Sequence, residues 1–495
     1  MKGNKKAIDL ESTVERGMVL EIGENKKDRI YLEKLFLIIA ILVGSLLVIL
    51  TPPMAVPDEN AHFINAYAVS KGNFFADTEN GQIGIYMPKT FSDFINNNLK
   101  KFSNFENKQT FAQYYFDSWL QQDMSQGVFY ATSLRRINPV GYLVSGLGMA
   151  IGSFVCGAFA LPYNLLLSGR IFNLVFYIIV VYFAIKITPI FKRTMILLSL
   201  MPMSIFLAAS LSYDAILIPI SFLLFAYALK LITAREDYLI TKRDIAVILL
   251  ITFFLAGIKA AYLPFLLILF AIPRKFFGTK KRYFICIALV MVVGLTVYGV
   301  PQICNKIATS GIVLNSTKYV SMQKMYLKSH ISEIPYIIIN TFKHLKTFYL
   351  TGFFGILGLL DTNFPIPIII CFYLILLFVF LIDASKGGYF KWNIKVLSII
   401  SIMISLCGML YHAYTNWTSQ PQILGIGANY VSGLQGRYFI PIALFICLLF
   451  SNSFLQKHPI KYESIINRKA DMVVTFTPAV LGLLTVTTVL LRFWC

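Results

Sequence analysis

The chain has 495 residues, of which 57% are hydrophobic and 14% charged, and its mean hydropathy is +0.69. Soluble domains are typically about a quarter charged, so this composition excludes a soluble globular protein and predicts an all-α protein with many membrane-spanning helices. The formal net charge is +20, but the basic residues cluster in short segments between apolar runs. That pattern is typical of cytoplasmic loops and does not indicate a nucleic-acid partner.

Several kinds of site have no support in the sequence. The seven cysteines occur singly, without close pairs, so neither disulfides nor a cysteine metal site is expected. The sequence also lacks a Walker A segment, a His-x-x-x-His pair and a Gly-x-Ser-x-Gly elbow. ATP-driven transport and serine hydrolysis are therefore not indicated.

The N-terminal residues 1–34 mix basic and acidic side chains without a long apolar run and are predicted to form a flexible cytoplasmic tail. A transmembrane domain is expected over 35–495, and its first helix over 35–50. Because the basic residues between 26 and 34 precede this helix, the N-terminus is expected in the cytoplasm and the end of the helix at the outer face.

The stretch after the first helix concentrates ionisable side chains. Three prolines between residues 52 and 57 end that helix, because proline lacks an N–H and restricts the residue before it. Asp58 is then a good N-cap, and residues 58–71 are predicted to form a short helix. Asp58 and His62 share one face of this helix, and Glu59 neighbours His62.

A long first extracytoplasmic loop is expected over residues 52–139, with helical fragments at 89–101 and 110–122. An apolar, glycine-rich run follows at 143–161. Basic residues after the next run, 171–187, place its end in the cytoplasm. Only one crossing fits both runs, so 143–161 is predicted to lie along the outer leaflet or to re-enter it.

The following runs alternate in direction, beginning with predicted spans at 195–211 and 215–231, and Asp214 is expected near the outer surface between these two. The runs at 245–257 and 261–272 are short of the roughly 20 residues that a spanning helix needs, so they are expected to form a hairpin that turns inside the membrane. Lys259 lies in this turn. A charge there is costly unless it faces water, a carboxylate or a phosphate, which makes Lys259 a functional candidate, with snorkelling to the headgroups as the alternative.

A second extracytoplasmic segment is expected over residues 302–363. It ends in a glycine-broken stretch, 351–361, which is predicted to line a cavity because glycine allows close backbone approach. Arg437 opens a later apolar run, and the run at 472–491 completes eleven predicted spans. This odd number places the C-terminus outside the cytoplasm.

Several separated motifs carry a resemblance to a known family. The most specific is at residues 53–62, where Pro-x-x-x-Pro-Asp-Glu-x-x-His directly follows the first helix. Further motifs lie at residues 138–142, 170–173, 210–214, 259–264, 355–365 and 435–441. Over roughly residues 35–455 the chain resembles a bacterial family of predicted multi-span membrane proteins of unassigned function, which is grouped by fold with the GT-C glycosyltransferases.

The resemblance implies a GT-C-like bundle of about eleven transmembrane helices in a bacterial cell membrane. It also implies that an acidic pair in the first outer loop, here Asp58 and Glu59, acts in the transfer of a sugar from a polyprenyl-phosphate carrier. The usual acceptor-loop pattern of these enzymes has two prolines, whereas this chain has Pro139 followed by Val140. The local shape of that loop is therefore expected to differ.

Glycosyl transfer from a lipid phosphate needs a base for the acceptor hydroxyl and cations for the departing phosphate. Asp58 or Glu59 is the candidate base, and His62 is predicted either to orient it or to share a divalent metal ion with it. An N-cap carboxylate is a weak base, which favours Glu59 as the base or a metal role for Asp58. The simpler alternative is that both carboxylates only stabilise the helix terminus.

The candidate phosphate ligands are Lys259, Arg437 and Arg170, of which the arginines offer a bidentate fork. Anchoring at the membrane interface is the alternative for each of them. Asp214 is a candidate for binding the acceptor or for pairing with Lys259, and capping of the helix that follows is its simpler role.

Two functions stay open at this point. One is an inverting glycosyltransferase that uses a polyprenyl-phosphate-linked sugar and a glycan acceptor of the cell envelope, because the cytoplasmic loops are too short for a nucleotide-sugar domain. The other is a transporter or flippase of a lipid-linked saccharide, which would bind with the same charged residues. The large first outer loop and the lack of recognisable inverted repeats favour the enzyme.

Overall fold

Helices make up nearly all of the regular structure, as the composition predicts. The computed structural model describes residues 26–110, 126–132, 135, 137–157, 161–312, 315–386, 390–451 and 463–495. In chain order the α-helices are α1 Lys26–Leu50, α2 Glu59–Ser70, α3 Lys89–Phe102, α4 Leu143–Cys156, α5 Pro162–Ile187, α6 Lys192–Leu200, α7 Pro202–Ala208, α8 Asp214–Ile232, α9 Lys242–Ile258, α10 Lys280–Ala308, α11 Asn315–Ser329, α12 Ile334–Phe354, α13 Ile366–Lys386, α14 Trp392–Ala413, α15 Ile440–Phe450 and α16 Glu463–Phe493.

Tighter and wider helical turns join these helices. The 3-10 helices are Pro139–Tyr142, Ala260–Ala271, Arg274–Phe277, Ile331–Glu333 and Gly436–Phe439, and a π-helical turn covers Tyr414–Thr418. Strands β1 Asp77–Glu79, β2 Gln82–Pro88 and β3 Gly127–Ala131 form an antiparallel sheet with β2 in the middle, and β4 Ile356–Leu357 pairs with β5 Thr362–Asn363.

An all-α, multi-pass membrane protein is confirmed, but eleven spans are not. Within the described residues, 8 helices are long and apolar enough to cross a membrane. The predicted span at 195–211 is broken at Pro202 into α6 and α7, because proline cannot continue the hydrogen-bond ladder and Met201 before it is extended. The two arms of the predicted hairpin are α9, with 17 residues, and the 3-10 helix after it, with 12 residues. The run that Arg437 opens contains α15, which has 11 residues.

The first and last helices run parallel to each other. The Tyr31 hydroxyl lies 3.0 Å from the Thr475 hydroxyl, and the Trp494 indole donates to the carbonyl oxygen of Leu50 at 2.7 Å. The two ends of the described chain therefore lie at opposite ends of the bundle, as an odd number of crossings requires. We call the end that holds Leu50 and Trp494 the Asp58 end, because Asp58 lies there.

The first helix, α1, begins earlier than the sequence predicts. α1 starts at Lys26, so residues 26–34 belong to the first helix and not to the expected tail. The remainder of that tail, residues 1–25, lies outside the described residues.

The first outer loop combines predicted helices with an unexpected sheet. α2 and α3 match the predictions for 58–71 and 89–101 closely, whereas the fragment at 110–122 falls almost entirely outside the described residues. The three-stranded sheet was not expected. Arg135, a buried residue near the end of this loop, donates to the Asn65 side chain at 3.0 Å and to the Phe75 carbonyl oxygen at 2.5 Å. These hydrogen bonds connect α2 to the later part of the loop.

The apolar run after this loop forms α4, which packs its glycine face against the first part of α5. A Cβ at Gly148 would overlap Phe172, and one at Gly152 would overlap Ser168, so these glycines permit close helix approach. The outer face exposes Phe154 and Val155. Together with the 3-10 turn before it, α4 is among the 8 helices long enough to span, and its course along the outer leaflet stays a prediction.

The predicted break at Lys259 is confirmed. α9 ends at Ile258, Lys259 has extended backbone angles of φ −155° and ψ 101°, and the next 3-10 helix begins at Ala260. The two arms run antiparallel, since the amide of Ile240 donates to the carbonyl oxygen of Phe276 at 2.8 Å.

The core is centred on α8, which packs against α5, α9 and α15. Within its apolar window 83% of the residues are buried, the largest share among the 8 candidate spans of the described chain. Asp214 is the first residue of α8. The most enclosed helix therefore carries this carboxylate to the Asp58 end.

The glycine-broken stretch 351–361, which begins in the last turn of α12, allows close packing of two backbone segments. Gly352 on α12 faces Gly436, and a Cβ at Gly436 would overlap the backbone of Tyr349 and Phe353. Glycine is needed at both positions because two backbones meet there. This contact fixes the turn that carries Arg437, whereas the sequence predicts a cavity lining.

Candidate functional site

Asp58 occupies a strained backbone position directly before α2. Its φ is 62°, in the left-handed region, and Met54 in the same turn has a φ of 58°. Such conformations are costly for residues other than glycine and concentrate at functional sites. Asp58 stands at the N-cap position, but its side chain makes no capping hydrogen bond. The expected capping role is wrong, and the carboxylate is directed elsewhere.

The Asp58 carboxylate binds Arg437. The Arg437 Nη2 atom donates to Asp58 Oδ2 at 2.9 Å, and Arg437 Nε lies 3.5 Å from Asp214 Oδ2. The side chain of Arg437 is 2% exposed, whereas that of Asp58 is 61% exposed. An enclosed cation therefore joins an accessible carboxylate to a buried one.

Arg437 retains free hydrogen-bonding capacity. Among the described residues, its Nε and Nη1 atoms have no hydrogen-bond partner. Buried guanidinium donors are nearly always satisfied in folded proteins. Because Nε still faces the Asp214 carboxylate at 3.5 Å, Nη1 is the donor of Arg437 that is left without a polar partner among the described residues.

The neighbouring carboxylate, Glu59, has a different environment. Arg170 donates to both of its oxygens, at 2.9 Å through Nε and at 2.6 Å through Nη2, and both side chains are 0% exposed. Arg170 also donates to the carbonyl oxygens of Thr51 at 2.6 Å and Pro52 at 3.1 Å. This bidentate pair seals the end of α1, and the geometry argues against Glu59 as the base and Arg170 as a phosphate ligand.

His62 lies beneath Asp58 among aromatic side chains. Its Nδ1 is 3.0 Å from the Tyr142 hydroxyl, and its ring meets the Tyr213 ring edge-on at 5.0 Å. Burial, with a smaller contribution from the nearby Arg437, lowers the pKa of His62, and Asp58 partly opposes this, so that the net pKa is about 4. The imidazole is therefore neutral near pH 7 and positions its neighbours without adding charge.

Lys259 lies on the other side of Arg437. Its Nζ is 3.3 Å from the centre of the Tyr438 ring, and the Arg437 guanidinium carbon is 5.5 Å from the same ring. The Tyr262 hydroxyl helps to hold Tyr438 in place, because it donates to the carbonyl oxygen of Tyr438 at 2.8 Å. Two cations thus lie close to one aromatic ring. The predicted pairing of Asp214 with Lys259 is wrong, since Asp214 pairs with Arg437.

The structure brings together five of the seven sequence-predicted site residues and separates two. The five are Asp58, His62, Asp214, Lys259 and Arg437. Glu59 and Arg170 form the sealed pair beside them.

Sequence reasoning missed the tyrosines that line the site. They are Tyr142, Tyr213, Tyr262 and Tyr438. Each lies inside one of the motifs noted above, so the motif positions carried a signal that the residue type did not.

The arrangement also bears on a divalent ion. No group of three or more His, Cys, Asp or Glu side chains within the described ranges could hold a metal. The charge that the Asp58 and Asp214 carboxylates face is the guanidinium of Arg437.

Comparison with known proteins places the chain in one group. The model of the family described as predicted membrane protein, DUF2142, matches residues 41–446. This range includes the five site residues and the sealed pair. No curated protein and no solved structure matches the chain at a significant level.

Proposed function

We propose, from the premise that the chain belongs to the DUF2142 family of predicted membrane proteins, that it is a GT-C-like membrane glycosyltransferase. It transfers a sugar from a polyprenyl-phosphate-linked donor to a cell-envelope acceptor at the Asp58 end, which is the extracytoplasmic side. The observation that carries the proposal is the accessible Asp58 carboxylate beside an enclosed Arg437 whose Nη1 donor has no hydrogen-bond partner among the described residues.

Asp58 is the base in this proposal. The acceptor hydroxyl gives its proton to the Asp58 carboxylate as its oxygen forms the bond to the anomeric carbon of the sugar. Glu59 cannot take this part, because its two oxygens are held by Arg170 away from solvent. His62 is neutral and keeps the site from gaining a competing positive charge beside the base.

Arg437 and Lys259 receive the leaving group. When the bond between the anomeric carbon and the phosphate oxygen breaks, its electron pair stays on the phosphate, and cations placed beforehand stabilise that charge. The Nη1 donor of Arg437, which has no hydrogen-bond partner among the described residues, matches a phosphate oxygen. Asp214 holds the guanidinium from behind at 3.5 Å, so the fork is oriented before the substrate arrives.

The test uses the purified full chain in lipid nanodiscs, supplied with polyprenyl phosphate carrying radiolabelled hexoses and with a cell-envelope glycan extract. We expect Asp58→Asn to reduce transfer by about a hundredfold or more. Asp93→Asn is the matched control, because Asp93 is an exposed carboxylate of the same outer loop, on α3, and lies outside the site. It should leave transfer unchanged.

Two outcomes would overturn the proposal. Equal sugar transfer by the wild type and by Asp58→Asn would show that Asp58 is not the base. Movement of the labelled lipid between leaflets, without any transfer by the wild type, would assign the protein to the transporter or flippase class instead. In cells that depend on this chain, Asp58→Asn should change the envelope glycan and accumulate the lipid-linked sugar.

A further inference from the structure

The stretch from the last turns of α10 through β4 has an unusual charge balance for an outer segment. Residues 301–360 contain one acidic residue, Glu333, and six lysines, namely Lys306, Lys318, Lys324, Lys328, Lys343 and Lys346. The first outer loop, by contrast, balances its charges. Because outer segments of membrane proteins are normally poor in lysine, this bias needs a cause of its own.

The lysines of this segment are available to a partner. All six are exposed, and none forms an ion pair with another residue of the described chain. α11 and α12 both pack on the segment around Gly427, since the Gln323 side chain accepts from the Gly427 amide at 3.1 Å and the Asn340 side chain donates to the Asn429 carbonyl at 2.9 Å. The two helices therefore present their lysines as neighbouring surfaces.

Large apolar side chains are interleaved with these lysines. Met325 is 69% exposed, Ile331 67% and Ile339 67%, and Tyr336 and Phe342 are also exposed. Exposed apolar residues beside lysines are typical of helices that lie in the interface of a membrane. A soluble polyanion would account for the lysines alone.

The lengths of the neighbouring helices place α11 at the headgroup level. α10 has 29 residues and α14 with its π-helical turn has 27, so at 1.5 Å per residue they are about 43 Å and about 40 Å long. A bilayer with its headgroups is about 40–45 Å thick. α11 follows the end of α10 and packs on the π-helical turn, so it lies where lipid headgroups end.

We propose that α11 and the first half of α12 dock on anionic lipid headgroups in the leaflet at the Asp58 end. The lysines bind the headgroup charges, and Met325, Ile331 and Ile339 insert beside them. This inference goes beyond the proposed function and does not need it. It also predicts a consequence for the site, because α12 packs directly against Gly436 beside Arg437, so lipid binding steadies the turn that carries this cation.

The test measures backbone hydrogen–deuterium exchange of the full chain in two kinds of nanodisc. One contains phosphatidylcholine alone, and the other also contains roughly 40% phosphatidylglycerol, an anionic lipid. We expect exchange in residues 315–346 to slow by roughly tenfold or more in the anionic nanodiscs. The basis is an affinity gain of about fivefold per lysine near an anionic surface. High salt should reverse the effect.

Two sets of variants make the test specific. The variant with Lys324→Gln, Lys328→Gln, Lys343→Gln and Lys346→Gln should lose the phosphatidylglycerol effect. The control with Lys280→Gln and Lys281→Gln, two exposed lysines at the start of α10, should keep it. Unchanged exchange in residues 214–232 of the core helix α8 shows that each variant is folded.

The proposal fails if the variant with the four Lys→Gln changes keeps the phosphatidylglycerol effect, or if the wild type shows none. Polyphosphate added to neutral nanodiscs tests the competing partner. Slowing by polyphosphate without slowing by phosphatidylglycerol would assign the surface to an anionic polymer. Slowing by phosphatidylglycerol alone supports the lipid surface.

Discussion

Asp58 and Glu59 are adjacent in sequence, and each meets an arginine far along the chain, yet their environments are opposite. Glu59 is sealed against Arg170 with both side chains 0% exposed. Asp58 is 61% exposed against Arg437. The first pair uses both carboxylate oxygens, and the second leaves the Nη1 atom of Arg437 without a hydrogen-bond partner among the described residues.

The difference shows that two adjacent carboxylates of one motif have different structural environments. A buried, bidentate ion pair is costly to break from one side, because the remaining charge is left without a partner. An exposed pair contributes little to stability because water screens it. Glu59 is therefore expected to support the fold and Asp58 to support the chemistry, and variants should separate the two effects.

The largest expected effect on stability comes from Glu59→Gln. This change keeps the size of the side chain and leaves the Arg170 charge buried without a counter-charge, which should lower the free energy of unfolding by about 3–5 kcal/mol. SDS titration in mixed micelles measures it. A stable Glu59→Gln protein that has lost transfer would place Glu59 in the chemistry and would reverse the comparison.

The next effect concerns pH and the buried imidazole of His62, which lies near Asp58 and Arg437. Because the pKa of His62 is lowered from 6.5 to about 4, the unfolded chain binds more protons than the folded one between these values. Stability should therefore fall as the pH drops from about 6.5 to 4, by on the order of 3 kcal/mol.

His62→Gln should flatten this dependence, as measured by unfolding at several pH values in the same micelles. His344→Gln, at an exposed position on α12, is the matched control and should leave the pH dependence unchanged. An identical slope in wild type and His62→Gln would show that another group is responsible.

A smaller effect on stability is expected from a change at Gly436, which lies directly before Arg437. Gly436→Ala forces a Cβ against the backbone of α12, so overpacking should cost about 1–3 kcal/mol of unfolding free energy. It should also weaken binding of a polyprenyl phosphate, since the Arg437 turn must move. Gly408→Ala on α14 faces open space and is the matched control; equal behaviour of the two variants would contradict the close contact.

The smallest effect on stability belongs to Asp58→Asn. Water screens the exposed Asp58 carboxylate, and the buried Arg437 keeps Asp214 as a counter-charge at 3.5 Å. The loss should therefore be less than about 1 kcal/mol, and this variant should unfold at nearly the same SDS concentration as the wild type. Together with its expected loss of transfer, that result would complete the contrast with Glu59→Gln. A loss of stability as large as that of Glu59→Gln would remove the distinction.

Local elements were predictable because their causes lie within a few residues. The three prolines before Asp58 end α1, the sequence around His62 forms α2, and the interrupted apolar run around Lys259 forms the hairpin. Longer-range features were less accessible. The break at Pro202 divides a span that hydropathy reads as continuous, and the sheet of the first outer loop depends on pairing between residues more than 40 positions apart, such as Ile85 with Tyr130.

The site shows the same division. The motifs marked Asp58, Asp214, Lys259 and Arg437 as candidates, because charged residues are rare in such an apolar chain. They could not show that Asp214 pairs with Arg437 and not with Lys259, since the partners come from separate helices. The tyrosines around them were also missed, because aromatic residues are expected throughout a membrane protein.

The sequence by itself determined that this is a helical multi-pass membrane protein with ionisable residues after its first helix, because hydropathy, charge and proline act locally. Only the tertiary structure decided which of the two adjacent carboxylates faces water. Consecutive side chains on a helix point about 100° apart, and burial of Glu59 depends on Arg170, which is 111 residues away.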